Sequence, residues 1–235
     1  MSLHTGKITG FEALVRWQHP QHGLQYPNQF IATAEETGLI TRLCQWVIRT
    51  ACHQFYQWQL QIPEGKNVII SINLSGKQFS QPNIVEQIQQ ILQQTNLAAS
   101  NLRLEIVEGV IMEDNNSIST KLLQLRNLGV QLSIDDFGTG YSSLARLYHF
   151  PINGLKIDRS CVSRIGIEQA RSEIVETIIT LAHKLNIDVT AEGVETSAQL
   201  AYLKTLQCEY AQGFFISRSL SSDQVETLLK SNPQW

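Results

Sequence analysis

The chain has 235 residues, a net charge of −3 and an apolar fraction of 43%, which fits one large globular domain with an ample core. The near balance of charge argues against a DNA-binding surface, which would be basic, and no apolar run approaches the roughly 18 residues of a membrane span. No signal peptide opens the sequence. The four cysteines show no Cys-x-x-Cys spacing, so we expect reduced thiols in a cytoplasmic protein: Cys44, Cys52, Cys161 and Cys208.

Periodicity predicts a strand followed by helical segments, repeated along the whole chain with no linker. The predicted strands cover residues 8–16, 68–75, 102–108, 130–136, 154–158, 188–193 and 209–213. The predicted helices cover residues 27–38, 39–57, 84–94, 119–128, a short stretch after the Gly- and Ser-rich loop FGTGYSS, and then 170–185, 197–206 and 221–230. Alternating strands and helices of this kind build a parallel (β/α) barrel.

Nearly every predicted strand ends in a side chain that can bind a metal or move a proton. In such barrels the carboxyl ends of the strands meet at one mouth. A mouth rich in carboxylates suits hard cations and an anionic substrate. In chain order these residues are Glu12, Asn73, Glu105, Asp135, Asp136, Lys156, Glu192 and Gln212.

Seven ordered motifs closely resemble the EAL family of cyclic di-GMP phosphodiesterases, and together they span essentially the whole chain. They are FEALVRW (11–17), INLS (72–75), LEIVE (104–108), DDFGTGYSSL (135–144), LKID (155–158), AEGVET (191–196) and QGFF (212–215). The resemblance implies a modified eight-stranded barrel of the TIM type, in which the first strand runs antiparallel to the others. The sequence departs from the family pattern at Ala32, Ala211 and Ser219, and none of these departures removes an acidic ligand.

The family's first strand, which contains Tyr-Gln-Pro-Ile, has no counterpart in this sequence. We therefore expect residues 1–235 to be one EAL phosphodiesterase domain, cut from a longer protein and short of one strand. Residues 1–3 read as a cloning remnant or as a native start. A barrel short of a strand leaves two unpaired edges. We expect a neighbouring chain, the residues before Gly10 or a collapsed edge to fill the gap, and a chain extended upstream to be more stable.

Phosphodiester hydrolysis needs an activated water and charge neutralisation, which two divalent ions about 3.5–4 Å apart can supply. Glu12, Asn73 and Glu105 can hold one ion, and Asp136 with Glu192 can hold the second. Asp135 would bridge the two. This donor set is all oxygen, which favours Mg²⁺ or Mn²⁺ over Zn²⁺.

The resemblance implies further roles. Glu192 is the expected general base, and Lys156 would steady the catalytic water. Glu195 and Gln212 would support the second metal, and Gln212 also counts as a substrate-binding residue. Glu108 would tether the FGTGYSS loop through the backbone N–H groups of that loop, and Arg16 would contact a substrate phosphate with its planar guanidinium.

Each assignment has a structural alternative. Asp135 and Asp136 fit a simple turn, and Lys156 fits an ion pair with Asp158 or Glu192. The other three alternatives are a helix cap by Glu195, a backbone contact by Asn73 and a surface salt bridge by Arg16.

Two functions remain at this point. The first is hydrolysis of cyclic di-GMP to linear pGpG, and the second is a catalytically silent EAL domain that binds cyclic di-GMP or a protein partner. The intact acidic set favours the enzyme. By resemblance we also expect a bacterial homodimer with residues 142–153 at the contact, and upstream sensory or diguanylate cyclase domains that could attach the full protein to a membrane.

Overall fold

The computed structural model describes residues 1–62, 68–111, 116–140 and 147–235, apart from the side chains of Asn116 and Arg171. The strands are Gly10–Ala13 (β1), Trp17–His19 (β2), Gly23–Gln25 (β3), Ile69–Leu74 (β4), Leu102–Val107 (β5), Gln131–Phe137 (β6), Gly154–Ile157 (β7), Asp188–Ala191 (β8) and Tyr210–Ala211 (β9). The helices are Pro27–Glu36 (α1), Ile40–Gln61 (α2), Gly76–Phe79 (α3), Ile84–Thr95 (α4), Glu108–Ile111 (α5), Asn116–Asn127 (α6), Arg159–Val162 (α7), Gln169–Lys184 (α8), Ser197–Thr205 (α9) and Ser222–Ser231 (α10).

Seven of these strands form one parallel sheet in the order β1-β4-β5-β6-β7-β8-β9. The sheet curls strongly, because Lys156 on β7 reaches Glu12 on β1 at 3.5 Å although three strands lie between them in the sheet. The predicted α/β fold with a curled, barrel-like parallel sheet is therefore confirmed. Among the described residues, no helix has the length and apolar character to cross a bilayer.

The two faces of each strand differ in chemistry. On β5, the side chains of Leu102, Leu104 and Ile106 are fully buried in the apolar core. Glu105, on the opposite face, contacts Lys156 inside the curl. Barrels of this type usually fill their interior with bulky apolar residues. Here the interior collects charged side chains, and the apolar side chains pack on the other face of the sheet.

The N-terminal residues pair with the edge strand β9. Ser2 pairs with Tyr210 in an antiparallel bridge, and the Leu3 N–H donates to the Glu209 carbonyl at 2.8 Å. Leu3 is only 6% exposed and belongs to the core. Of the three expectations for the predicted gap, this pairing agrees with the one that places the residues before Gly10 there, and residues 1–3 have a structural role whatever their origin. The effect of an upstream extension on stability stays a prediction.

Two local predictions were wrong. The strand predicted at residues 8–16 is limited to β1, and the residues after it form a hairpin in which β2 pairs antiparallel with β3. This hairpin turns at Gly23, which adopts the left-handed φ of 68°. Three short helices, α3, α5 and α7, directly follow β4, β5 and β7 and were not predicted. The short helix predicted after the FGTGYSS loop falls at residues 141–146, outside the described residues.

Candidate active site

The strand ends bring the predicted acidic residues together, as the sequence led us to expect. In the parallel register, Asn73 on β4 lies beside Glu105 on β5, and Asp135 on β6 lies beside Val107 at the end of β5. Glu12 stands on the first strand of the sheet. These positions all lie toward the carboxyl ends of their strands, so their side chains share one mouth.

Lys156 is the centre of this cluster. Its ammonium nitrogen lies 2.5 Å from Glu192, 2.6 Å from Glu105, 3.2 Å from Asp135 and 3.5 Å from Glu12. The side chain is only 3% exposed. Burial by itself lowers a lysine pKa, but the surrounding carboxylates outweigh it and raise the pKa of Lys156 well above its usual range. Lys156 is therefore a buried cation that four acids share.

The structure decides between alternatives for Lys156. The ion pair with Glu192 is present, but it is one of four such contacts. Asp158 instead accepts a hydrogen bond from the Ser160 N–H at 2.9 Å and so caps α7. A simple lysine–carboxylate pair accordingly does not describe this residue.

Glu12 is held from two sides by amides. Asn73 donates to one of its oxygens at 2.6 Å, and Gln212 donates to the other at 2.6 Å. Burial favours the neutral acid, but Lys156 and the two amides outweigh it, so the pKa of Glu12 is lowered. Asn73 thus contacts Glu12 and does not merely bond neighbouring backbone. Sequence reasoning missed the bond between Gln212 and Glu12, because 200 residues separate the two.

Asp135, Asp136 and Glu192 form a group of metal-binding size. One carboxylate oxygen from each lies within 4.8 Å of the others. Asp136 adopts a φ of 55°, a left-handed conformation that non-glycine residues rarely take. Burial, followed by the nearby Asp135 and Asp158, raises the pKa of Asp136. A strained backbone that points several acids at one place is typical of a functional site.

The remaining acids carry more negative charge than one lysine can balance. Burial raises the pKa of Glu105 to about 7 and that of Glu192 to about 8, although Lys156 opposes both shifts. Buried carboxylates at such short distances repel one another when ionised, and further cations stabilise their ionised form. The donors are carboxylate and amide oxygens, which Mg²⁺ and Mn²⁺ prefer. The residues present therefore fit divalent metal ions.

Glu108 holds the start of the glycine-rich loop. It is 3% exposed, and its carboxylate accepts a hydrogen bond from the Gly138 N–H at 3.3 Å. A Cβ on Gly140 would lie only 3.6 Å from the same carboxylate. Gly138 has a φ of 95°, which only glycine adopts readily. The rest of the predicted loop, residues 141–146, lies outside the described residues, as does the start of the predicted dimer contact at 142–153.

Arg16 and Glu195 make fewer contacts. The Arg16 guanidinium donates to the Val15 carbonyl at 2.8 Å and lies 4.8 Å from the centre of the Tyr26 ring. In the part of the chain that the structure describes, it forms no salt bridge. Glu195 is exposed, and α9 is capped by Thr196 with Gln199. The capping alternative for Glu195 is therefore wrong, while its support of a second metal stays a prediction.

Comparison with known proteins places the chain in the EAL domain family, whose description matches residues 1–219. The cyclic di-GMP phosphodiesterase NbdA of Pseudomonas aeruginosa is 41% identical over 98% of this chain and 29% of its own length. The bifunctional diguanylate cyclase/cyclic di-GMP phosphodiesterase MucR of the same organism is 41% identical over 94% of this chain and 32% of its own length. The chain thus spans about a third of the curated relatives that it matches.

Solved structures agree with this assignment. The structure described as PaMucR phosphodiesterase in complex with c-di-GMP is 40% identical, with a TM-score of 0.88 over 94% of this chain and 92% of that one. The EAL enzyme Bd1971, with cAMP and cyclic di-GMP bound, is 36% identical, with a TM-score of 0.93 over 97% of this chain and 62% of that one. The predicted family is confirmed.

Proposed function

We propose that this chain is a metal-dependent phosphodiesterase that hydrolyses cyclic di-GMP to linear pGpG. The carrying observation is the group formed by Asp135, Asp136 and Glu192 beside the buried Lys156. The family assignment and the relatives named for cyclic di-GMP hydrolysis support the substrate. An acidic mouth alone would repel a phosphodiester, so the proposal includes metal ions that neutralise the charge of the site.

The proposed ligands divide into two groups that share one residue. Glu12, Asn73 and Glu105 would hold one ion, Asp136 and Glu192 the other, and Asp135 both. The three residues of the second group already offer oxygens within 4.8 Å of one another. Bound Mg²⁺ or Mn²⁺ supplies charge neutralisation at the phosphate and a water of lowered pKa.

The protein side chains have separate roles in this proposal. Glu192 is the general base, because its carboxylate belongs to the second metal group and also contacts Lys156. Lys156 orients Glu192 and carries the positive charge that steadies the attacking water. Gln212 fixes the carboxylate of Glu12, and Arg16 receives a substrate phosphate.

The nearest competing function is a receptor that binds cyclic di-GMP without hydrolysing it. By resemblance, degenerate members of the family usually lose metal ligands or the DDFGTG loop. The described residues keep Glu12, the two adjacent aspartates, Lys156 and Glu192 in one cluster, so the geometry favours the enzyme.

One assay separates the two functions. The purified chain is incubated with cyclic di-GMP and Mg²⁺, and chromatography follows pGpG formation, with a chelator and Ca²⁺ as parallel conditions. We expect pGpG with Mg²⁺ or Mn²⁺, none with the chelator, and binding without efficient turnover in Ca²⁺, whose coordination is longer and looser. Calorimetric binding of cyclic di-GMP with no product under any metal would establish the receptor instead.

Two proposals concern the wider protein. We expect a homodimer, with residues 142–153 at or near the contact, and a longer natural chain that carries a sensory or diguanylate cyclase domain. The relatives that include MucR support the second expectation. Sedimentation of the purified chain with and without Mg²⁺ tests the first.

A further inference from the structure

Helix α2 carries a row of exposed side chains along its outer face. Its inner face packs Ile48, Cys52 and Phe55 into the apolar core. On the outer face, exposed side chains recur at steps of three, four or seven residues. We call these residues the α2 stripe: Leu39, Arg42, Trp46, Arg49, His53 and Leu60.

The spacing of the α2 stripe is that of a helix face that packs on a second helix. Side chains three, four and seven residues apart lie on one face, because seven residues make almost two turns. A surface helix normally turns polar side chains to the solvent. Here the two ends and the middle of the stripe are apolar, since Leu39, Trp46 and Leu60 are 54%, 56% and 63% exposed. Helix α2 thus has apolar side chains on both faces, and only the inner face is covered by described residues.

The charge of the α2 stripe is positive throughout. None of the 22 residues of α2 is an aspartate or glutamate, although the whole chain has a net charge of −3. Among the described residues, neither Arg42 nor Arg49 takes part in an ion pair. By contrast, Lys121 and Arg126 on α6 already donate to protein acceptors. The two arginines of the stripe are therefore available to an acidic partner.

The positions of the arginines define what such a partner presents. Arg42 and Arg49 are seven residues apart, about 10.5 Å along the helix axis, and Trp46 lies between them. A guanidinium binds a carboxylate through two parallel N–H donors. A second helix with two carboxylates seven residues apart matches this spacing, and an apolar side chain between them packs on Trp46. Tryptophan and arginine are also the residue types that carry most binding energy at protein interfaces.

A second copy of this chain does not fit the α2 stripe. Antiparallel packing of two α2 helices about Trp46 would bring Arg42 of one copy against Arg49 of the other, and like charges repel. No described helix of the chain has two exposed acids seven residues apart. On α8 and α10 the acids are three residues apart: Glu173 with Glu176, and Asp223 with Glu226.

A lipid surface fits the α2 stripe less well than a helix does. Anionic membranes are recognised by clusters of roughly four to eight Lys or Arg residues, whereas the stripe has two arginines. The negative net charge of the chain opposes approach to an anionic bilayer. A flat surface also leaves the regular spacing of the stripe without a role.

We propose that the α2 stripe binds an acidic amphipathic helix of a partner protein. Two carboxylates of that helix pair with Arg42 and Arg49, and an apolar side chain between them packs on Trp46. This is a binding function separate from the chemistry of the acidic cluster, because α2 packs against the apolar face of the sheet and the cluster lies inside the curl.

The test measures binding of fluorescein-labelled synthetic peptides by fluorescence anisotropy. The acidic peptide is a helix of about three heptads with two glutamates seven residues apart and a leucine between them. A scrambled peptide has the same composition without the heptad spacing. Trp46→Ala and Arg49→Glu are compared with wild type. Leu123→Ala on α6 and Lys204→Glu on α9, both at exposed positions, are the matched controls.

We expect wild type to bind the acidic peptide at least about 10-fold more tightly than the scrambled one. Trp46→Ala and Arg49→Glu should each weaken this binding by at least about 10-fold, as residues at the centre of an interface do, and the two controls should leave it unchanged. Raising NaCl from about 0.1 M to about 0.5 M should weaken the wild-type complex, because the ion pairs are screened.

A charge exchange separates a lost contact from a damaged fold. Two further peptides each carry lysine in place of one of the two glutamates. One of them should bind Arg49→Glu more tightly than it binds wild type, since its lysine then faces the new carboxylate. An unfolded or distorted variant cannot show this reversal, and circular dichroism checks the fold of each variant.

Other outcomes overturn the inference. Equal binding of the acidic and scrambled peptides would mean that the stripe does not recognise a helix. Equal losses in Lys204→Glu and Arg49→Glu would reduce the effect to net charge. Phosphatidylcholine vesicles with phosphatidylglycerol form the last arm. If wild type sediments with these vesicles, loses this binding in Arg49→Glu and ignores the acidic peptide, the stripe binds a membrane surface instead.

Discussion

The strands at the edges of the sheet are paired over fewer positions than those at its centre, although edges and centre both carry residues of the same proposed site. In the centre, β4, β5 and β6 pair along five registered positions at each junction. At the edges, β9 pairs with β8 at only two positions, and among the described residues β1 and β9 are the two end strands of the sheet and do not pair with each other as strands. We call the junction formed by residues 1–3, β1 and β9 the seam.

The seam also borders a cavity. This cavity of about 70 Å³ lies inside the curled sheet, lined by Met1, Gly10 and Tyr210 on the seam and by Arg103 and Glu105 on β5. Two residues of the proposed site, Glu12 on β1 and Gln212 directly after β9, hydrogen-bond across the seam at 2.6 Å. The least-paired part of the sheet therefore positions a proposed metal ligand, and the site and the seam should depend on each other.

The largest expected effect comes from removing Glu12, the proposed metal ligand on the seam. Glu12→Ala should lower turnover of cyclic di-GMP by more than about 100-fold, because even residues that only support a ligand cost 10- to 100-fold. Circular dichroism should show an intact fold, and Glu86→Ala on the exposed face of α4 is the matched control. Near-normal hydrolysis by Glu12→Ala would refute the proposed ligand set.

A central residue should show a different pattern. Lys156→Ala leaves four buried carboxylates without their shared cation, which should cost about 3–5 kcal/mol of unfolding free energy in metal-free buffer. Added Mg²⁺ should recover part of that loss. At saturating metal, kcat should fall far more than affinity for cyclic di-GMP, since Lys156 is proposed to act on the attacking water. Urea unfolding and steady-state kinetics measure the two effects, and a change in KM alone would make Lys156 a binding residue.

A substitution in the seam should weaken Mg²⁺ binding, whereas a substitution in the centre that destabilises the fold equally should not. Leu3→Asp places a carboxylate where a 6%-exposed leucine packs, and should cost about 2–4 kcal/mol. Because the segment also positions β9 and Gln212, Mg²⁺ affinity should fall in protein that is still folded. Leu132→Ala in the centre should cost a similar 2–5 kcal/mol with unchanged Mg²⁺ affinity. Equal Mg²⁺ affinities in the two folded variants would show that the seam does not influence the site.

A smaller effect is expected at the amide that crosses the seam. Gln212→Ala removes the 2.6 Å hydrogen bond to Glu12 and should lower activity about 10-fold, as supporting contacts to metal ligands usually do. Gln94→Ala, exposed on α4, is the control. A Mg²⁺ titration separates two roles. Weaker Mg²⁺ binding supports the contact to Glu12 as the main role, whereas a higher KM with unchanged Mg²⁺ binding makes Gln212 a substrate-binding residue.

The same contrast explains what the sequence could predict. The strands of the centre are apolar runs with clear boundaries, so β4, β5 and β6 and the polar side chains near their ends, Asn73, Glu105 and Asp135, were predicted from pattern alone. The local motif around Asp135 and Asp136 likewise indicated the metal group. These features depend on neighbouring residues and on the rule that parallel strand ends meet at one mouth.

The seam could not be predicted in the same way. The pairing of Ser2 with Tyr210 joins residues about as far apart as the chain allows, and no local pattern encodes it. The hairpin of β2 and β3 has strands of three residues each, too short for alternation to be recognised. Lys156 was predicted at the mouth, but its four carboxylate partners come from four different strands or strand ends.

The smallest expected effect is a difference in labelling rate between two cysteines, one at the seam and one near the centre. This difference measures how often each region opens locally. Cys208 precedes β9 at the seam, and Cys52 lies in α2, which packs on β4. Burial raises the pKa of both thiols to about 12, so their intrinsic reactivity as thiolates is alike. At pH 8 both should react slowly with iodoacetamide, and each added pH unit should speed both about tenfold while the fold is intact.

Any remaining difference between these two thiols then reports how often each region opens. We expect Cys208 to be labelled several-fold faster than Cys52 when peptides are quantified by mass spectrometry. Saturating Mg²⁺ should lower the labelling rate of Cys208 toward that of Cys52. Metal held by Glu12 would make opening of the seam rarer and leave opening of the centre nearly unchanged. Equal labelling rates, or a Mg²⁺ effect of the same size on both cysteines, would mean that the seam is as firmly closed as the centre and that metal binding does not act on it.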